Sequence, residues 1–363
     1  MKGGHAFLMA AGGTGGHVVP ALAVARELRK RGHEPFFVGK REGIEARLVP
    51  AEGFPIEWIE IGGLKRVGWR QAARSLGQIP RSVWRVWRLT GERRPRALFS
   101  MGGYVAGPSM AAAWLRGVPM ILMEPNAVAG MTNRWMGRFV RRALLNFESA
   151  AAGFPRGRTE VTGVPVREEF FRIGPKKPGG KFTLLLTGGS RGSRRLNAAA
   201  RQSWPLLRKS GLPVRVLHQC GGEEYPELRR AFEESGVEGE IRPFIADMAA
   251  AFAEADLVVC RSGAGSVAEL AAAGKPSILV PFPFAADQHQ LRNAEEMAKA
   301  GAARLLPDSE LSGETLHREV AALASDPALL AGMGEAARRL ARPGAAARAA
   351  DLLEELAAEP ARR

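Results

Sequence analysis

The stretch Gly12-Gly13-Thr14-Gly15-Gly16-His17 joins an anion cradle to a proton carrier. Gly12, Gly13, Gly15 and Gly16 let backbone approach a ligand with no Cβ in the way. The first N–H groups of a following helix have no intrahelical partners and carry partial positive charge, which favours a phosphate there. The imidazole of His17 exchanges a proton near neutral pH. The pattern therefore predicts a site where a phosphate-bearing substrate meets proton transfer. The spacing is not that of a nucleotide-hydrolase phosphate loop. It is not the G-x-G-x-x-G dinucleotide fingerprint either, since Val18 stands where the third glycine would follow Gly13 and Gly15. Taken alone, the loop also reads as a tight strand-to-helix turn packed with glycine.

The elements that must hold this loop are legible around it. Phe7 to Ala11 is a short apolar strand that runs into the glycines, and a helix is expected from His17 to Lys30. Further strands are expected at Phe36–Val38, Ala97–Met101, Met120–Met123, Leu144–Asn146, Phe182–Leu186, Val214–His218, Leu257–Cys260 and Ser277–Val280. Helices at Ser266–Ala273 and Leu291–Lys299 fall between such strands. This alternation predicts parallel, helix-covered α/β sheets. The opening pattern is echoed by Leu184-Leu-Leu-Thr-Gly-Gly-Ser190, again a strand entering a Gly-rich turn before an expected helix. Two Rossmann-like units follow, with ligand expected at the carboxyl ends of their strands, in a cleft between domains. Thr162–Arg167 and the Pro/Gly/Lys stretch Gly174–Gly180 are the linker candidates.

Composition narrows the partners. Of 363 residues, 46% are hydrophobic and 25% charged, an ordinary globular balance that excludes a disordered, collagen-like or disulfide-scaffold chain. Cys220 and Cys260 are the two cysteines, far apart and without metal-ligand spacing, which suits a reducing compartment. The apolar start is short and feeds the glycine loop, so no signal peptide is expected. No apolar run approaches the roughly 20 residues of a spanning helix. The formal net charge of +15 favours anionic partners. That charge is concentrated between Lys65 and Arg96, where Glu92 is the one acid. Trp69, Arg70, Arg74, Leu76, Ile79, Arg81, Trp84, Arg85, Trp87 and Arg88 mix basic and bulky apolar side chains, with Pro80 expected to kink or divide the helix. Such a surface suits the interface of an anionic membrane, and Arg134, Arg138, Arg141 and Arg142 add to it. An ordinary helix with a solvated Arg face is the plainer reading. Nucleic acid is not expected, because no nucleic-acid motif accompanies the charge.

Read together, six ordered segments resemble the MurG family of N-acetylglucosaminyltransferases. They are Gly12–His17, Met101-Gly-Gly-Tyr-Val-Ala-Gly-Pro108, Glu124-Pro-Asn-Ala-Val-Ala-Gly130, Thr162-Gly-Val-Pro-Val-Arg167, Gly188-Gly-Ser-Arg-Gly192 and Cys260-Arg-Ser-Gly-Ala-Gly-Ser-Val-Ala-Glu269. Three positions depart from the family pattern: Pro125 where Gln is usual, Val164 where Asn is usual, and Ser266 where Thr is usual. Ser266 keeps the hydroxyl, whereas Val164 loses a polar side chain beside the linker.

The resemblance implies the GT-B glycosyltransferase fold, two Rossmann-like domains facing across a cleft. Residues 1–163 and 344–363 would form the acceptor- and membrane-binding domain, and residues 164–343 the UDP-GlcNAc-binding domain. It implies an inverting transfer of GlcNAc from UDP-GlcNAc to the MurNAc C4 hydroxyl of lipid I, giving lipid II for peptidoglycan. The enzyme would be peripheral on the cytoplasmic face of the bacterial membrane, in contact with other cell-wall or division proteins. No cofactor is expected, and no Asp-x-Asp pair is present to hold a metal between diphosphate oxygens. Donor binding is implied for Thr14, Gly15, Gly16, Asn126, Arg167, Ser190, Ile245, Ala264, Gly265, Ser266, Val267, Ala268 and Glu269. At Asp287–Gln290, Gln288, His289 and Gln290 compete for one role; Gln290 is preferred, with His289 beside it. Glu269, behind Gly263–Gly265, suits a grip on ribose hydroxyls, and Gly188–Ser190, at an expected helix start, suits the donor diphosphate. Gly13, His17, Gly102, Gly103, Tyr104 and Glu124 are expected at the acceptor. His17 is the expected base for the attacking hydroxyl, or else a binder of acceptor diphosphate, with Glu124 and Asn126 as alternative bases. A different UDP-sugar-dependent GT-B enzyme, such as a lipid glycosyltransferase or a UDP-GlcNAc epimerase, and a non-catalytic nucleotide-sugar-binding scaffold are the rival readings.

Overall fold

The computed structural model describes residues 4–62, 69–176 and 181–359; the side chains of residues 69–76 lie outside that description. The chain forms two compact units, Met1–Pro165 with Gly344–Arg363, and Val166–Pro343. The first contains β1 (Ala6–Ala11), α1 (Gly15–Lys30), β2 (Glu34–Gly39), α2 (Glu45–Ala51), β3 (Ile56–Trp58) and α3 (Trp69–Arg93). It continues through β4 (Ala97–Gly102), α4 (Ala106–Leu115), β5 (Met120–Glu124), α5 (Met131–Met136), β6 (Arg142–Leu145) and β7 (Thr159–Val161). The second contains α6 (Glu168–Phe171), β8 (Phe182–Thr187), α7 (Arg194–Lys209), β9 (Val214–Gln219), α8 (Tyr225–Ser235), β10 (Glu238–Arg242) and α9 (Met248–Glu254). It ends with β11 (Leu257–Cys260), α10 (Ala264–Ala273), β12 (Ser277–Leu279), α11 (His289–Lys299), β13 (Ala303–Leu305), α12 (Gly313–Ala324) and α13 (Pro327–Leu340). The last helix, α14 (Ala345–Ala358), returns to the first unit.

Both sheets are parallel, with strand orders β3-β2-β1-β4-β5-β6-β7 and β10-β9-β8-β11-β12-β13. Central strands such as β1 and β8 are apolar almost throughout because helices cover both faces of the sheet. Leu8 sits in register with Phe36 on one side and Leu98 on the other. Strand order reverses between β1 and β4 and between β8 and β11. In each unit the loops that follow those strands therefore open a crevice at the carboxyl edge. Val86 and Leu89 of α3 and Met110 of α4 close the first core, while Trp204, Phe232 and Ile241 close the second. The return of α14 is held by charge. Arg31 Nη1 lies 2.7 Å from both Asp351 and Glu354, and Arg348 Nε lies 2.7 Å from Glu160.

Four expectations need correction. The helix after the first glycine loop begins at Gly15 rather than His17, which places His17 in its first turn. The helix after the second glycine turn begins only at Arg194, capped by Ser193, so Gly188–Ser190 is not a helix start. Pro80 does not divide α3, which runs unbroken through it; the locked φ of proline suits a helix and the ring removes one backbone donor. The chain passes between units at Pro165–Val166, ahead of the Gly174–Gly180 stretch. Residues 177–180 lie outside the description, and Lys176 is already tied to Asp256 of the second unit.

Candidate active site

In the first unit, the loops after β1, β2, β4 and β5 are knit together by contacts that leave no room for a Cβ. Glu45, fully buried at the start of α2, accepts hydrogen bonds from Gly13 N at 3.2 Å and Lys40 N at 3.0 Å. A Cβ on Gly12 would stand 2.7 Å from the Glu45 carboxylate and from Val105. Gly13, at φ +100°, lies under the Tyr104 ring, where a Cβ would meet Cε1 at 3.1 Å. Burial, then the charges of Glu45 and Glu42, push the Tyr104 phenol up. Gly103 faces both Gly12 O and the His17 ring, and His17 Nδ1 stands 3.3 Å from Gly12 O. Gly15 has open space where a Cβ would be, and α1 has neither a side-chain cap nor an acid in its first turn. Its N-terminal N–H groups are thus offered to a ligand. The structure brings together Gly13, Thr14, Gly15, Gly16, His17, Gly102, Gly103 and Tyr104.

Glu124, expected at the acceptor, is the last residue of β5. It is 1% exposed and accepts from Asn126 N, Asn126 Nδ2, Gly130 N and Asn133 Nδ2 at 2.9–3.1 Å. Burial pushes its pKa up while these four donors pull it down. With its lone pairs so engaged, its carboxylate ties Asn126, Gly130 and Asn133 together and orders the 125–130 loop. Asn133 carries this order to Gly102, where a Cβ would meet Asn133 Oδ1 at 2.8 Å.

In the second unit, Gln219 is the organiser. Its Nε2 donates to Thr187 Oγ1 at 3.1 Å and Gly189 O at 2.9 Å, while its Oε1 accepts from Ile245 N at 2.8 Å. One buried amide therefore ties the Gly188–Ser190 turn to Ile245. Arg261 closes the other side, donating to Ser193 Oγ, to the Val280 and Pro281 carbonyls, and to Asp308 at 2.6 Å. An open helix end in this unit belongs to α10. Gly263 is its N-cap, no side chain caps it, and Gly263 and Gly265 have empty space at the Cβ position. Ala264, Gly265 and Ser266 form its first turn, the buried Val267 and Ala268 face the core, and Glu269 follows one turn on. Desolvation pushes Glu269 up to about 7; Arg167 opposes this and Glu169 adds to it. Arg167 caps α6 without a side-chain bond to it, pairs with Glu169 at 2.8 Å and lies over the Phe170 ring. Gln290 Oε1 accepts from Phe282 N, Gln290 O accepts from Ser262 Oγ, and His289 Nδ1 meets Ala286 O at 2.7 Å. Asp287 and Gln288, both at positive φ, turn the chain into α11.

Models of two families match this chain: the glycosyltransferase family 28 N-terminal domain over residues 7–145 and its C-terminal domain over residues 183–356. The UDP-N-acetylglucosamine–N-acetylmuramyl-(pentapeptide) pyrophosphoryl-undecaprenol N-acetylglucosamine transferase of Solibacter usitatus is 62% identical, over 97% of this chain and 96% of that protein. The chain belongs to the MurG branch of glycosyltransferase family 28. The enzyme of the same name from Alkalilimnicola ehrlichii is 44% identical over 96% of this chain and 98% of its own. The crystal structure of Acinetobacter baumannii MurG superposes with a TM-score of 0.83 at 32% identity, covering 97% of this chain and 99% of that one. A UDP-N-acetylglucosamine 2-epimerase structure, 14% identical with a TM-score of 0.68, shares the fold alone. Two parallel-sheet Rossmann-like units in this family are the GT-B fold.

Within this MurG-type chain, the basic α3 surface divides in two. Ile79 is half-buried, whereas Arg81, Trp84, Arg85, Trp87 and Arg88 are exposed, Trp84 by 60%. The side chains of Trp69, Arg70, Arg74 and Leu76 lie outside the described residues. Neighbouring elements extend the surface. Arg116 stacks on Trp87 at 3.5 Å, and exposed Trp114 meets Phe139 at 5.2 Å. Among the described residues no helix is long and apolar enough to cross a membrane. Glu45, Asn133 and Gln219 organise the site loops and lie outside the six motif segments. Each is a buried polar group, and Glu45 and Gln219 reach partners about thirty residues away.

Proposed function

We propose that this protein transfers GlcNAc from UDP-GlcNAc to the MurNAc C4 hydroxyl of lipid I, inverting the anomeric centre and forming lipid II. The observation that carries the reading is His17 in the first turn of an uncapped, acid-free helix, with Gly103 beside its ring and Tyr104 over Gly13, in a chain 62% identical to a transferase of that name. The first unit takes the acceptor, its diphosphate lying on the Gly13–Gly16 turn. If His17 Nδ1–H donates to Gly12 O, the basic lone pair sits on Nε2, where it receives the acceptor's proton as the C–O bond forms. The second unit takes the donor. The α10 N-terminus, Ser190 and Arg167 meet the diphosphate, Glu269 the ribose, Ile245 the base, and Gln290 with His289 the sugar. Thr14–Gly16 and Asn126 complete the donor sugar's contacts during transfer. The transition state resembles an oxocarbenium ion, and charge building on the departing UDP is met by helix N–H groups and the Arg167 fork. The α3–α4 surface with Trp84, Trp87 and Trp114 rests on the anionic cytoplasmic face of the membrane, where a polyprenyl-linked acceptor resides.

The test is transfer of labelled GlcNAc to a lipid I analogue, with lipid II analogue as the expected product. Bound UDP-GlcNAc without transfer would overturn catalysis in favour of a scaffold. Conversion of UDP-GlcNAc alone into another UDP-sugar would assign an epimerase. Sedimentation with anionic vesicles checks the membrane face: reversal of Arg81, Arg85 and Arg88 to Glu should abolish it, and unchanged binding refutes that part.

A further inference from the structure

Arg167 and Glu269 stand on two different helices of the second unit, and one side chain ties those helices together at their carboxyl ends. Arg338, on α13, is half-buried, and among the described residues its hydrogen-bond partners are four backbone carbonyls. Nη1 donates to Phe171 O at 3.3 Å and to Ala272 O; Nη2 donates to Ala273 O at 3.0 Å and to Ile173 O. Phe171 ends α6, and Ala272 and Ala273 end α10. The planar fork therefore bridges two helix ends whose carbonyls lack intrahelical partners and favour a cation. Burial pushes this guanidinium down, and among the described residues no carboxylate opposes the shift. The backbone makes room for the bridge. A Cβ on Gly274, the α10 C-cap at φ +60°, would stand 2.7 Å from Arg338 Nε, and one on Gly334 would stand 2.8 Å from Gly274 O. A single turn such as α6 has too few internal bonds to hold itself. Two anchors hold it: Phe170, buried against Phe252 at 5.2 Å, and Arg338. Arg167 caps that turn and lies over the Phe170 ring at 4.9 Å, while Glu269 lies one turn before Ala273.

We propose that Arg338 is a positioning residue for the donor: by joining the ends of α6 and α10 it fixes the spacing between Arg167 and Glu269. The proposal rests on the reading that Arg167 meets the diphosphate and Glu269 the ribose. A ligand that spans both groups needs that spacing set in advance, whereas a ligand that uses one of them does not. A side chain that merely held the fold together would affect all such ligands alike.

The experiment titrates the full chain and its Arg338→Lys variant with UDP, uridine and inorganic pyrophosphate at about pH 8.5, where Glu269, pushed up to about 7, is ionised. Lysine keeps the charge but, as a point donor, cannot bridge two helix ends. UDP should bind the variant about tenfold more weakly, the worth of one charge-assisted hydrogen bond, while uridine and pyrophosphate stay within about twofold of the parent. Gly334→Ala keeps Arg338 but presses α13 away from Gly274 O, and should give the same pattern at about threefold. It carries the test if the lysine variant does not fold. Unchanged UDP affinity in the folded variants, or equal weakening of all three ligands, overturns the assignment. Arg167→Ala and Glu269→Gln are the controls: if neither weakens UDP, the donor reading on which the clamp rests is overturned instead.

Discussion

The two glycine turns look alike in sequence and are built differently. The first, Gly12–Gly16, runs straight into α1, leaves space at Gly15, and has a titratable side chain in the helix's first turn. The second, Gly188–Gly192, is closed at both ends: a Cβ on Gly188 would meet Ser193 N, although Gly189 faces open space. A Cβ on Gly192, at φ +76°, would overlap the Cys220 carbonyl; Gln219 holds Gly189 O, and Ser193, itself bonded by Arg261, caps α7. The open counterpart of the first turn lies elsewhere in the second unit, at Gly263–Ser266 after β11. Gly12, Gly13 and Gly192 make room for the protein's own atoms, whereas Gly15 leaves open space.

The contrast can be broken most forcefully at His17. His17→Ala should cut turnover at saturating acceptor by roughly 10²–10⁴-fold with UDP-GlcNAc affinity intact, the range for a lost general base; near-normal turnover would leave the open turn a binding element only. Next, Gly192→Ala should destabilise the second unit by about 3 kcal/mol, combining positive-φ strain with backbone overlap, read as a lower denaturation midpoint. A midpoint equal to the parent's would mean that the second turn is as open as the first.

Glu269 sharpens the donor side. Glu269→Gln should raise the UDP-GlcNAc KM about tenfold, the loss of hydrogen bonds to a charged acceptor. In the parent, donor affinity should fall as pH drops below about 7, where the carboxylate takes up its proton. The stability sign is opposite. A carboxyl raised from 4.5 to about 7 on folding costs nothing below 4.5, and its penalty is complete above about 7. The unliganded Gln variant should therefore match the parent in acid and exceed it by about 1–3 kcal/mol at pH 8. Chemical denaturation across pH checks both ends. The smallest change is Gly15→Ala, which should alter stability by less than about 1 kcal/mol, since its Cβ meets nothing, yet weaken acceptor binding. Unaltered acceptor KM would show that no ligand comes close to this backbone.

The central strands were legible because burial on both faces writes itself as an unbroken apolar run. The four strands that hydropathy does not reveal, β3, β7, β10 and β13, are the four sheet edges. The last of β10, for example, reads Glu238-Gly-Glu-Ile-Arg242, a polar strand with one covered side chain. Edges need charge to stay unpaired, and that charge erases the signal. The site was legible where glycine and histidine advertise it. It was hidden where a buried amide or carboxylate such as Gln219 or Glu45 does its work through partners about thirty positions away. Glu124 is a motif carboxylate whose donors, Asn126, Gly130 and Asn133, come from the loop and helix that follow it.

The return of α14 sets an order of assembly. Arg31 meets Asp351 across 320 residues, and His33 meets Glu354 at 2.8 Å. On the ribosome, α1 must therefore wait for the entire second unit to be made before its partner helix emerges. Until then Arg31, His33 and the flank of α1 remain solvated, and the helix that presents His17 lacks part of its support. The second unit is contiguous and can fold first, so synthesis from the amino end completes the two units in reverse order.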